Sequence, residues 1–209
     1  MTNGAGEATG SCTRASAEPA PARIFVGVKV ADDVAQQLTE LARPLERQGA
    51  RLVARRDIHL TLVPPWSETQ VKAAIERLPE AASIFGGFPL TFAHLAYGPT
   101  ARHPRLLWVG CVAGDELTKL RCTLLNAYGQ IDARQFVPHV TLARIPHHGR
   151  AVARDNPIAR TLSLTQYVTS VELFQSPRKG ESGYRVLASS LLGKDPSAST
   201  ALPGDTPHD

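Results

Sequence analysis

The sequence predicts a fold of mixed strands and helices, in two similar halves that face each other across a central cleft. Three observations predict it. Strand-like and helix-like segments alternate along the chain. The order buried strand, helix, short strand occurs twice. Each short strand carries the same triplet, His59-Leu60-Thr61 and His139-Val140-Thr141. From Ile24 to His59 is 35 residues and from Leu106 to His139 is 33, the spacing of an internal duplication. A pseudo-two-fold axis between such halves brings equivalent strands together, so the two triplets face one another.

The elements follow from local pattern. Ile24 to Val30 is a continuous apolar run that reads as a buried strand. Asp32 or Asp33 then caps a helix whose apolar positions are Val34, Leu38, Leu41 and Leu45, and Pro44 ends or kinks it near Arg43. Ile58 to Val63 is a short strand stopped by Pro64-Pro65, and Ser67 caps a second helix carrying Val71, Ile75 and Leu78. Residues 88–96 are extended, and Leu106 to Val112 is a second buried strand. A helix from about Asp115 presents Leu117, Leu120 and Leu124, and Phe136 to Ala143 is a strand closed by Pro146. Strands at 161–168, 170–175 and 184–191 complete the chain, with Gly180 and Gly183 turning between the last two.

Apolar residues make up 43% of the 209 residues and charged residues 20%, enough to bury a core. No apolar run approaches the roughly 18–20 residues that span a bilayer, and no basic segment followed by an apolar stretch opens the chain. The expectation is a cytoplasmic protein with no membrane partner. Cys12, Cys111 and Cys122 form neither a C-x-x-C pair nor a zinc-type cluster, as expected of reduced thiols. Residues 1–22 contain no Leu, Ile, Val or Phe, and residues 193–209 hold Pro196, Pro203 and Pro207 with a lone Leu202. Both read as disordered tails flanking one bilobal unit at 23–192. The tails carry net charges of −1 and −2, so within a total of +4 the body carries +7, which suggests an anionic partner such as nucleic acid or a nucleotide.

Strand alternation puts His59 and Thr61 on one face and Leu60 and Leu62 on the other; His139 and Thr141 repeat this against Val140 and Leu142. Each strand is anchored by its apolar side and presents an imidazole and a hydroxyl about 7 Å apart. With 7 His and 16 Thr in the chain, chance supplies about half of one such triplet. The weight therefore lies in the shared flanks and the matched place in the repeat. Two imidazoles flanking one pocket serve as base and acid in a single displacement. Two threonine hydroxyls donate to the non-bridging oxygens of a phosphate held between them. This set suits in-line attack on a phosphodiester and requires no metal.

Paired H-x-T-x motifs, one per half, resemble those of the 2H phosphoesterase superfamily. Within it they resemble the bacterial and archaeal RNA 2′,3′-cyclic phosphodiesterases, also called 2′-5′ RNA ligases. The resemblance covers about residues 23–192 and includes Arg23 to Val26, Arg105 to Gly110, Phe136 to Arg144, Val171 to Ser176 and Gly183 to Leu187. It implies a bilobal α+β fold, with two antiparallel sheets around the cleft and helices on the outer faces. It also implies hydrolysis of a ribose 2′,3′-cyclic phosphate to a 2′-phosphate end, with no cofactor. By analogy His59 is the proton donor to the departing 3′ oxygen, His139 the base that activates water, and Thr61 and Thr141 hold the phosphate oxygens. Family members also join a 2′,3′-cyclic phosphate to a 5′-hydroxyl in reverse. The Val63-Pro64-Pro65-Trp66 stretch departs from the basic, aromatic and glycine stretch of many relatives.

Further candidates for substrate or RNA contact are Arg55, Trp66, Arg144, Arg178 and Lys179, each weighed against an ordinary role. Trp66 stacks on a base or caps the core. Simple alternation turns Arg144 away from His139 unless the strand bends at Ala143. Arg55, Arg56 and Arg134 line the cleft rim or are solvated charge. Arg178 and Lys179 sit in a glycine-bearing loop that either covers the cleft or merely turns. His147-His148 has no third ligand at a usual metal spacing, and His94 and His103 lack a second motif residue. P-loop and nucleophile-elbow motifs are absent. The expected protein is a monomer acting on RNA or nucleotide cyclic-phosphate ends. The rival readings are a related phosphodiesterase acting on a 2′-5′ oligonucleotide or an ADP-ribose cyclic phosphate, a non-catalytic RNA-end binding module, and a metal site using the histidines.

Overall fold

Each apolar stretch of the body becomes a strand or one face of a helix. The structure is a computed structural model, and it describes residues 20–100, 102–146 and 149–193. Along the chain run β1 (Ala22–Lys29), α1 (Asp32–Ala42), β2 (Arg51–Leu52), β3 (His59–Glu68), α2 (Val71–Ala82), β4 (Phe88–Gly98) and β5 (Leu106–Val112). They are followed by α3 (Asp115–Ala127), β6 (His139–Arg144), α4 (Gly149–Asp155), β7 (Ala159–Val168), β8 (Ser170–Gln175) and β9 (Arg185–Leu191). Short 3₁₀ turns occupy Arg43–Gln48 and Arg55–Asp57.

The strand order is β7-β4-β5-β6-β3-β1-β8-β9, with β2 beside β6, and every neighbouring pair is antiparallel. Read outward from its centre, this order is the same in both directions. A His-x-Thr strand comes first, then the buried strand of its half, then two more. The two expected sheets are joined into one nine-stranded antiparallel sheet, whose halves meet at one residue pair, Leu60 opposite Val140. α1 packs on β6 and β7, α3 packs on β3, and α2 packs on α3, β8 and β9. The core between helices and sheet contains Leu38, Leu60, Leu78, Phe92, Leu107, Leu120 and Val140, all fully buried.

Several boundaries differ from the sequence pattern, for stated reasons. β3 continues through Pro64 and Pro65 to Glu68 instead of stopping at Val63. Ile24 faces Trp66 and Val26 faces Val63, so both prolines lie in a bulge opposite Phe25 alone, where no ladder N–H is needed. Ser67 is consequently a strand residue, and Gln70 stands at the start of α2. Asp32 and Asp33 lie within the first turn of α1, where they complement the helix dipole without capping it; the cap position is Ala31. As expected, α1 gives way at Arg43 to a tighter turn containing Pro44. β6 begins at His139, three residues later than its apolar pattern, because Pro138 has no N–H to give the ladder. α4 and β2 lie outside the pattern altogether, the first being short and rich in Ala and Arg, the second two residues long. Cys111 is buried, and burial pushes its thiol up to about 12, as befits an inert core cysteine; Cys122 is free and exposed. Among the described residues no helix is long and apolar enough to cross a membrane. Cys12, His147-His148 and nearly all of both terminal stretches lie outside the described residues.

One ion pair fastens the approach to β6. Arg121 of α3, nearly buried, donates to Asp132 at 2.9 Å, and its guanidinium lies 4.4 Å from the centre of the Phe136 ring. Arg134 adds a 2.7 Å contact from the solvent side and holds the Asp132 carboxyl at about 2. Asp132→Ala is expected to cost about 2–3 kcal/mol in urea unfolding, the low end for a buried pair because Arg134 is exposed. The carboxyl is depressed in the folded state. Its contribution is therefore complete above its ordinary value near 4 and is lost as pH falls from there toward 2. An unchanged midpoint in the variant contradicts this.

Candidate active site

The register at the centre of the sheet assembles the site. Leu60 faces Val140 across an antiparallel pair, so His59 lies across from Thr141 and Thr61 across from His139. The apolar pair is buried in the core, and the four polar side chains share the opposite face. Ladder spacing puts the two imidazole-bearing positions about 8 Å apart on a diagonal, with a hydroxyl beside each. All four line one cleft of about 400 Å³, together with Arg23 and Phe25 of β1, Asp57, Arg144, and Tyr184 of the β8–β9 connection.

Each imidazole is held in the same way. His59 Nδ1 lies 2.7 Å from the carbonyl of Asp57, and His139 Nδ1 lies 2.8 Å from the carbonyl of Val137. A carbonyl only accepts, so Nδ1–H donates in both, and Nε2 is the atom left to exchange protons in the cleft. The surroundings of the rings differ. His59 is boxed by Phe25 at 4.7 Å, Tyr184 at 5.0 Å and Phe174 at 5.5 Å between ring centres, whereas His139 leans on Trp108 at 4.4 Å. Burial in that box drives the His59 pKa below its ordinary value. The Asp57 carbonyl and carboxylate oppose the shift, and the nearby His139 and Arg144 charges add to it. Asp57 also accepts the Tyr184 N–H at 3.1 Å, tying the β8–β9 connection to the turn before His59.

Arg144 faces the cleft because of a bulge. Leu107 pairs with Ala143 and Trp108 with Thr141, so Leu142 is an extra residue in β6. That residue reverses the alternation and brings Arg144 to the same face as His139 and Thr141. Among the described residues neither Arg144 nor Arg23 forms an ion pair, so two guanidinium charges are available to an anion.

The model of the 2′-5′ RNA ligase superfamily matches residues 30–175, a span that contains both His-x-Thr strands. The chain belongs to this superfamily. An RNA 2′,3′-cyclic phosphodiesterase of Thermotoga maritima is 29% identical over 133 residues, which are 60% of this chain and 71% of the relative. One of Bacillus subtilis is 30% identical over 128 residues, 57% of this chain and 69% of the relative. The fold resembles that of E. coli LigT complexed with phosphate, with a TM-score of 0.64 at 22% identity, over 84% of this chain and all of that one.

Within this superfamily member the sequence-derived candidates separate. Trp66 lines no part of the cleft: its ring lies 5.0 Å from Tyr128, just past the end of α3, and its indole N–H donates to Glu68. The even place of Trp66 in β3 puts it on the face of Leu60 and Leu62, the helix side, and Pro65 stands on the cleft wall. Arg55 also lies off the cleft and reaches Gln36 of α1 at 3.5 Å. Arg178 lines an adjoining hollow beside Ser176, Pro177 and Tyr184, whereas Lys179 is exposed and lines neither. Arg134 is engaged by Asp132. Sequence reasoning missed Arg23, Asp57 and Tyr184. For Arg23 a signal existed, since alternation about buried Ile24 puts it on the same face as Phe25, and both line the cleft. His94, which has no motif partner, stands in register with Gly110 and His139 and is exposed two strands from the cleft.

Proposed function

We propose that this protein opens RNA or nucleotide 2′,3′-cyclic phosphates to 2′-phosphate ends, with His59 and His139 as the acid–base pair. The observation that carries the proposal is the shared face of the two triplets, which gives one cleft an exchangeable Nε2 on each side. The names of the relatives support the same reaction. His139 Nε2 takes a proton from water as its oxygen attacks phosphorus. The bond from phosphorus to the 3′ oxygen breaks on the far side, and His59 Nε2 protonates the departing alkoxide. Thr61 and Thr141 donate to the non-bridging oxygens, and Arg23 and Arg144 balance the charge that grows on them. Both proton transfers are made by imidazoles, so turnover is expected to survive EDTA. With a 5′-hydroxyl in place of water, the same steps join two RNA ends through a 2′-5′ linkage, and their reversal cleaves that linkage.

The depressed pKa of His59 belongs to the free protein. A phosphate anion held against the ring favours its protonated form and restores the acid. In kcat/KM, which reports the free enzyme, the limb on which activity falls as pH rises is therefore expected below the ordinary histidine value of 6.5. In kcat the same limb moves to higher pH. Asp57→Asn retains the backbone carbonyl and removes the charge, so it should move the kcat/KM limb further down. Coincident limbs in kcat and kcat/KM, or no response to Asp57→Asn, contradict the role given to His59. Incubation with a 2′,3′-cyclic-phosphate oligonucleotide, followed by location of the product phosphate, tests the reaction itself. A 3′-phosphate product or no product rejects it.

A further inference from the structure

The largest cavity described on the molecule lies outside the catalytic cleft. It is a basin of about 1030 Å³ lined by Tyr97, Arg102, Arg150 and Arg154, with Ala153, Pro157 and Ile158 among its apolar residues. Two segments build it, the connection after β4 that carries Arg102 and the stretch from α4 to Ala159. They are locked together: Ile145 N–H donates to the Arg105 carbonyl at 2.8 Å, and a Cβ at Gly149 would stand 2.5 Å from the Pro104 carbonyl oxygen. Only glycine permits that approach, so the arginines of both segments are presented on one fixed surface.

The charge here is concentrated. Residues 99–105 and 144–160 hold six arginines, Arg102, Arg105, Arg144, Arg150, Arg154 and Arg160, against one acid, Asp155. Asp155 is taken by Arg154 at 2.8 Å, and among the described residues no acid pairs with Arg102 or Arg150. Most of the +7 of the body therefore sits at one end of the β4-β5-β6 sheet. That end leads into the cleft. Gly98 pairs with Leu106 and Leu106 with Arg144, which places the β4 rim of the basin about 10 Å, two strand spacings, from the cleft arginine. A single strand of RNA crosses such a gap within a few nucleotides.

We infer that this arginine basin binds the phosphodiester backbone of the RNA whose cyclic end lies in the cleft. The inference rests on the function proposed above and extends it from the end group to the body of the substrate. A polyanion is the occupant that fits: guanidinium groups on both building segments face the cavity, and apolar residues between them accept sugar and base edges. A mononucleotide anchored at His59 and His139 does not reach it.

The test compares two substrates on the full chain. One is a 12-nucleotide RNA ending in a 2′,3′-cyclic phosphate; the other is 2′,3′-cyclic AMP. In Arg102→Glu/Arg150→Glu the KM for the oligonucleotide is expected to rise about tenfold or more, and its log–log dependence on salt to flatten by about two. The kcat for the oligonucleotide and all parameters for 2′,3′-cyclic AMP should remain those of the parent. The milder Arg102→Gln/Arg150→Gln variant should show the same selectivity and guards against misfolding of the charge reversal. Unchanged oligonucleotide kinetics, or equal losses on both substrates in the Gln variant, overturn the inference. Fluorescence anisotropy with a 12-nucleotide RNA bearing a 2′-phosphate end measures the basin without turnover. Weaker binding in both variants supports it and unchanged binding overturns it, whereas inactivity of the parent protein on both cyclic substrates counts against the proposed reaction alone.

Discussion

Alanine at either motif histidine is expected to lower the rate of cyclic-phosphate opening by about 10²–10⁴-fold, the range supplied by one positioned acid or base. The two substitutions should not multiply. Once the base or the acid is gone, the remaining partner has no concerted transfer to assist, so the double variant should resemble the worse single one. Their structural costs should differ. His59 is packed among Phe25, Phe174 and Tyr184, and its loss leaves a gap in that box, whereas His139 touches Trp108 and is half-exposed. His59→Asn, which refills part of the gap and can still donate to the Asp57 carbonyl, separates lost chemistry from lost packing. The check is turnover of 2′,3′-cyclic AMP beside a thermal melt. A histidine variant that melts like the parent and retains its rate removes that residue from the mechanism.

The alternation of His, Leu or Val, Thr and Leu made the faces of both motif strands legible before any coordinates, and the repeat made their meeting an expectation. Both depend on near-neighbour pattern, which a sequence records directly. What it does not record is where a ladder slips. The extra residue at Leu142 turned Arg144 inward, whereas Trp66 keeps the face of Leu60 and Leu62 and packs on Tyr128. A one-residue slip exchanges the faces of everything that follows it. Asp57 and Tyr184 were unreadable for a different reason. They are 127 residues apart, in a turn and a connection without periodicity, and they become partners only because β8 pairs with β1. Lys179 shows the converse: a basic glycine-bearing loop suggests a cleft cover, yet Lys179 is exposed and lines neither the cleft nor the hollow beside it.

Arg144 is where the slip in register becomes chemistry. With the ladder unbroken, its guanidinium would face the core side of β6, where no charge is stable; with Leu142 inserted, it lines the cleft beside His139 and Thr141. In the proposed reaction it is a cation beside the phosphate, and it should act mainly when negative charge accumulates on the non-bridging oxygens. Arg144→Ala is therefore expected to lower kcat by about 10²-fold, with little change in melting temperature, since its side chain is exposed and unpaired among the described residues. Arg144→Lys retains the charge but not the two-pronged geometry, so it should recover only part of the loss. Removing Arg144 also relieves one of the charges that disfavour His59 protonation, so the falling limb of kcat/KM should move to higher pH in the alanine variant but stay near the parent's in the lysine variant. The two readouts then move in opposite directions, a slower reaction with a more basic acid. A merely structural arginine would lower both activity and melting temperature and leave the limb where it was.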